Sequence, residues 1–119
     1  MIRVIPEWLQ EAIDFLNQEF PEDEDVTVTI LYGYEGVSYG ENKSGWASYD
    51  ADKKSIYMND FNKIREKYNL YSGEAIEFTL ECLFHEYRHH QQNIYHLDMD
   101  EEDADRFAIQ MRLKFLTRN

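Results

Sequence analysis

The chain has 119 residues, of which 43% are apolar and 15% aromatic, enough for one folded domain with a single core. Its 24 acidic and 12 basic residues give a formal net charge of −12, which repels phosphate backbones and disfavours a nucleic-acid partner. The single cysteine, Cys82, excludes an intrachain disulfide, and no run of about 18 apolar residues predicts a membrane span. We expect one domain over residues 1–119, soluble and cytoplasmic, with no signal peptide and no membrane partner.

The first half of the chain predicts one helix followed by three strands. An apolar stripe at helical spacing follows Pro6 and ends before Pro21. β-Branched and aromatic residues then predict strands over Val26–Tyr34, Trp46–Tyr49 and Ser55–Asn59. Because turn residues separate these strands, we expect a small, mostly antiparallel sheet in meander order.

The second half predicts three helices and completes an α+β fold. A short helix follows Asn59 or Asp60, and a long one ends near Asn93. Asp98 or Asp100 is expected to cap the final helix, which ends near Thr117.

All four histidines lie in the stretch CLFHEYRHHQQNIYH, residues 82–96, which covers the end of the long helix and the start of the linker after it. His85, Glu86 and His89 follow the pattern H-E-x-x-H, and the i, i+4 spacing stacks both imidazoles on one face. Two such rings can bind one zinc ion at about 2.0–2.1 Å, while Glu86 projects roughly 60–100° away, where a general base can contact a water. A solvated helix end with a hydrogen-bonded histidine pair is the alternative. Cys82 is expected to be a small buried residue and His90 to lie at the rim.

Eleven residues separate His89 from the stretch EEDADRFA, residues 101–108. H-E-x-x-H followed by E-x-x-A-D-x-F-A on a second helix resembles the gluzincin metallopeptidases, over about residues 50–112. The resemblance implies a minimal zincin-like fold, with an N-terminal helix, a three-stranded sheet, the H-E-x-x-H helix and a C-terminal glutamate helix. It also implies one Zn²⁺ held by His85, His89 and Glu101, with Asp105 orienting a ligand histidine.

Two other interpretations of the acidic stretch stay open at this point. Asp98 and Glu101 have the spacing of a capping box, and acidic residues are favoured in any first helical turn. Glu102 is the competing third ligand, although it falls on a different helix face from Asp105.

The resemblance implies a zinc-dependent peptidase, in which a zinc-bound water activated by Glu86 attacks a peptide carbonyl. Its partner would be a peptide or protein substrate, and the negative surface favours a basic one. In zincins the substrate lies along an edge strand, and the candidate edge here is the strand containing Ser55, Ile56, Tyr57 and Met58.

No motif identifies a residue that stabilises the oxyanion, and by position Tyr95 and His96 are the candidates. Arg88 departs from the family pattern, because many gluzincins have a small residue before the second histidine. Two other functions remain open: a catalytically silent, zinc-binding zincin fold that acts by protein binding, and an acidic interaction or mimic protein.

Overall fold

A computed structural model describes residues 6–32 and 47–118. In chain order the elements are α1 (Glu7–Glu19), β1 (Thr27–Leu31), β2 (Ala47–Asp50), β3 (Ser55–Asn59), α2 (Phe61–Tyr68), α3 (Ser72–Ile94) and α4 (Glu101–Leu116). The predicted α+β class is confirmed. Three residues predicted to lie in strands, Gly33, Tyr34 and Trp46, are outside the described residues, as is the turn-rich segment between them.

Side-chain caps account for where two of the helices begin. Asp60 caps α2 by accepting a hydrogen bond from the backbone N–H of Asn62 at 3.0 Å. Asp100 caps α4 by accepting from the backbone N–H of Asp103 at 3.1 Å. Asp100 is therefore the N-cap, and Glu101, the first residue of α4, does not need its carboxylate for capping.

The sheet is mixed, with strand order β1-β3-β2. β2 and β3 form the expected antiparallel pair, but β1 pairs with β3 in parallel. The predicted meander order was therefore wrong. Residues 32–46 separate β1 from β2. Neighbouring strands lie about 4.8 Å apart, so a connection of this length is long enough to pass an intervening strand. The turn residues alone therefore did not determine which strand pairs with β1.

This strand order corrects the predicted position of the sheet edge. The strand with Ser55, Ile56, Tyr57 and Met58 is central, because β1 and β2 occupy its two sides. Its backbone groups are already paired and cannot accept a further strand. Within the described residues the edges are β1 and β2, and β2 is the edge strand that packs against α3.

α3 is the central helix and packs against α4, the sheet and α2. Leu80, Leu83 and Phe84 on α3 are fully buried. The ring of Phe84 lies 6.2 Å from Phe15 of α1 and 6.1 Å from Phe115 of α4, so one aromatic cluster joins three helices. In the part of the chain that is described, no helix has both the length and the apolar character needed to cross a membrane.

Candidate metal centre

Two helices bring the candidate ligands together. α3 carries His85 and His89, and α4 begins with Glu101 and packs on α3. Ala104 is fully buried on α4, and its small side chain lets the two backbones approach. Arg88 donates from Nε to Asp103 Oδ2 at 2.6 Å, which links the helices beside the site.

The Glu101 carboxylate lies across both imidazoles. Its Oε2 is 2.9 Å from His85 Nε2, and its Oε1 is 3.0 Å from His89 Nε2. The two Nε2 atoms are 3.2 Å apart. The histidine side chains are only 8% exposed, whereas Glu101 is 66% exposed, so this carboxylate covers a buried pair of rings from the solvent side.

Hydrogen bonds on the far side of each ring fix its orientation. His85 Nδ1 is 2.9 Å from Asp105 Oδ1, and His89 Nδ1 is 2.8 Å from Gln92 Oε1. Both partners are oxygen acceptors, so each Nδ1 carries the proton and donates it. The Nε2 atom of each ring then faces Glu101 and the Nε2 atom of the other ring.

This donor set fits a zinc ion. Ligand atoms that are about 2.0–2.1 Å from a tetrahedral zinc lie about 3.3–3.4 Å from one another. The three observed separations of 2.9, 3.0 and 3.2 Å are slightly shorter than that. An ion between these three atoms would be contacted by all of them, and binding it would displace any proton held there.

Glu86 lies beside the two rings, with its carboxylate within 4.8 Å of the ligand nitrogens of His85 and His89. It is only 1% exposed, and its Oε2 has no hydrogen-bond partner among the described residues. Burial, and secondarily the charge of Glu101, raises the pKa of Glu86 to about 8. A nearby cation would offset both effects, so this orphaned oxygen also fits a metal centre.

The two oxyanion candidates lie away from this cluster. Asp23, in the turn after α1, accepts hydrogen bonds from Tyr87 Oη at 2.8 Å, Gln91 Nε2 at 2.9 Å and Tyr95 Oη at 2.5 Å. Tyr95 is therefore held by Asp23. His96 is exposed in the next turn, with a positive φ of 56°. Among the described contacts, neither side chain hydrogen bonds to the histidine–glutamate cluster.

The hydrogen bonds to Asp23 connect the turn after α1 to α3, and we expect their contribution to stability to depend on pH. Burial raises the pKa of this carboxyl, but the three hydrogen bonds outweigh burial and lower it. The stabilisation is therefore complete above the unfolded-state pKa of about 3.9 and is lost as the pH falls through the lower folded-state pKa. Asp23→Asn should reduce the free energy of unfolding by about 1–2 kcal/mol at pH 7 and by less at pH 3.

Urea unfolding at both pH values measures this difference, with Glu22→Gln in the same exposed turn as the control. An equal loss of stability at pH 3 and pH 7 would contradict an ionic role for Asp23.

Three other side chains of α3 are buried or hydrogen bonded to other elements: His90, Cys82 and Arg88. His90 is fully buried, so its predicted rim position was wrong. Its Nε2 donates to the Glu24 carbonyl at 2.7 Å, and its Nδ1 then accepts from Tyr49 Oη at 2.7 Å. Cys82 is buried as expected, and burial raises the pKa of its thiol. Arg88 donates a hydrogen bond to Asp103.

Sequence reasoning missed Gln92, which contacts His89 from the same helix. The available signal was its spacing, because a residue three positions after His89 lies on the same face. A glutamine at such a position is usually solvated, so spacing alone did not distinguish it. Asp103 lies in an acidic helix start, where an acidic residue has no distinctive sequence signal.

Comparison with known proteins gives a family but no activity. No curated protein and no solved structure is significantly similar to this chain. A family model without an assigned function matches residues 41–112, which is 72 of the 119 residues and includes all of α3 and most of α4. The chain therefore belongs to this family of unknown function.

Proposed function

We propose that this protein is a zinc-dependent peptidase. The observation that carries the proposal is the convergence of two imidazole Nε2 atoms and the Glu101 carboxylate beside the buried Glu86. His85, His89 and Glu101 would hold the ion. Two histidines and one glutamate leave a coordination position open, as in catalytic rather than structural zinc sites.

A bound zinc ion supplies a Lewis acid that polarises a carbonyl group and lowers the pKa of water to about 7. Glu86 would act as the general base, accepting a proton from the attacking water and passing it to the leaving amine. Asp105 and Gln92 keep the ligand rings oriented by accepting from their Nδ1 atoms.

The substrate would be an extended peptide aligned with β2, Ala47–Asp50. Among the described strands β2 is an edge of the sheet, and its backbone would pair with the substrate on the side away from β3. Tyr49 Oη accepts from Asn93 Nδ2 at 3.0 Å and contacts His90. These two contacts hold β2 against α3. The net charge of −12 favours basic peptides.

A cleavage assay with a mixture of unstructured peptides tests the proposal. The zinc-loaded protein should generate new amino termini, detected by mass spectrometry, and a chelator should stop the reaction until zinc is restored. Lysine-rich peptides should be cleaved faster than glutamate-rich ones of equal length. Failure of the zinc-loaded protein to cleave any peptide would contradict the peptidase assignment, and equal rates for both classes would remove only the charge preference.

A further inference from the structure

The amide of Gln92 uses its full hydrogen-bonding capacity. Its Oε1 accepts from His89 Nδ1 at 2.8 Å and from the backbone N–H of Asp100 at 3.3 Å. Its Nε2 donates to the carbonyl of Asp100 at 3.2 Å and to Asp103 Oδ2 at 3.0 Å. Gln92 is only 1% exposed, so these four bonds replace the water that the amide loses on burial.

The orientation of this amide follows from its partners. A backbone carbonyl and a carboxylate can only accept, so the nitrogen of Gln92 must face Asp100 O and Asp103 Oδ2. The oxygen must then face His89. A rotation of the amide would lose all of these bonds, so the acceptor for His89 is fixed by contacts with α4.

These contacts connect the two helices that supply the metal ligands. Asp100 and Asp103 flank Glu101 at the start of α4. The Glu101 side chain is 66% exposed and has little packing of its own to hold it. Asp103 Oδ2 also accepts from Arg88 Nε at 2.6 Å, so one carboxylate oxygen receives a bond from each of two α3 side chains. The place of Glu101 therefore depends on how the first turn of α4 is held on α3.

We propose that Gln92 is a positioning residue that couples the two halves of the metal centre. One end of its amide orients His89, and the other end holds the helix start that carries Glu101. The inference rests on the proposed metal site and goes beyond it, because it assigns the assembly of the three ligands to a residue that does not touch the ion.

Zinc affinity, measured by competition with a chelating dye, tests the coupling without any substrate. Gln92→Met keeps the size of the side chain and removes all four hydrogen bonds. It should weaken zinc binding by about 10–100-fold, the usual effect of losing a group that orients a ligand. Gln110→Met, which removes an amide from the exposed face of α4, should leave the affinity unchanged.

A reversal of bond polarity separates this role from a general loss of folding. Gln92→Glu retains an acceptor for His89 but directs a carboxylate at Asp103, so zinc affinity should fall. Adding Asp103→Asn removes the opposing negative charge and places an amide donor against that carboxylate, at the position where Asp103 Oδ2 accepts from both Arg88 and Gln92. The double variant should bind zinc about 3-fold or more tightly than Gln92→Glu alone, since contacting residues couple by such amounts.

Hydrogen exchange of the zinc-free protein provides a readout that requires no metal. The backbone N–H groups at the start of α4 should exchange faster in Gln92→Met than in the wild type, and at the wild-type rate in Gln110→Met. A Gln92→Met protein with wild-type zinc affinity and exchange would overturn the coupling, as would a double variant no better than Gln92→Glu. A wild-type protein that binds no zinc would instead overturn the proposed metal site.

Discussion

Zinc binding is expected to be lost when either His85 or Glu101 is replaced by alanine. Each substitution removes one of three side chains whose donor atoms lie 2.9–3.2 Å apart. A protein zinc site binds with about 10–16 kcal/mol in total, so loss of one ligand should cost about 3 kcal/mol, or more than about 100-fold in affinity. Elemental analysis after purification without chelator, followed by titration with zinc, measures the stoichiometry and affinity of each variant.

The control for the third ligand is Glu102→Ala. Glu102 is the neighbouring acidic residue in the same helical turn, and its side chain is exposed. This variant should bind one zinc ion like the wild type. Retention of tight binding by Glu101→Ala, or its loss in Glu102→Ala, would sink the choice of Glu101. Absence of zinc from the wild type would favour the acidic interaction protein, which needs no metal.

The helices and the candidate ligands could be predicted from the sequence because their signals are local or periodic. The i, i+4 spacing placed His85 and His89 on one face, and the structure has their Nε2 atoms 3.2 Å apart. EEDADRFA located the partner helix through the family resemblance, and Glu101 and Asp105 both contact His85. No pattern in the acidic stretch excluded a simple helix cap. The structure separates the two roles, because Asp100 caps α4 while Glu101 faces the rings.

The order of the strands and the polar contacts between helices could not be predicted from local or periodic signals. The turn after Asp50 is stabilised locally, by Oδ1 accepting from the backbone N–H groups of Asp52 and Lys53, and it fixes only the β2–β3 hairpin. The partner of β1 depends on long-range packing. The burial of His90 likewise depends on Tyr49 and the Glu24 carbonyl, which are far away in sequence. Helical periodicity cannot identify such partners.

The second large effect concerns catalysis rather than binding. Glu86→Gln should retain one zinc ion per chain and lose peptide hydrolysis by about 100–10,000-fold, the usual contribution of a general base. The amide has nearly the same shape as the carboxylate but cannot accept the proton of the attacking water. Glu86 also lies outside the trio of atoms that contact one another, so its replacement leaves His85, His89 and Glu101 in place. Parallel measurement of zinc stoichiometry and initial cleavage rates separates the two functions.

A matched control is Glu81→Gln, five residues before Glu86 on α3. The Glu81 carboxylate lies 3.8 Å from Arg112 of α4. It makes the same chemical change on the same helix. Among the described contacts the Glu81 carboxylate faces Arg112 and does not contact the ligand rings, so this variant should retain both zinc and cleavage. If Glu86→Gln cleaved peptides at the wild-type rate, Glu86 would not be the base. If the zinc-loaded wild type and Glu86→Gln were both inactive on peptides, and both still bound a protein partner, the silent zincin fold would be the better account. Because the amide preserves the shape of a side chain that is only 1% exposed, loss of cleavage with zinc retained would assign the chemistry to the carboxylate itself.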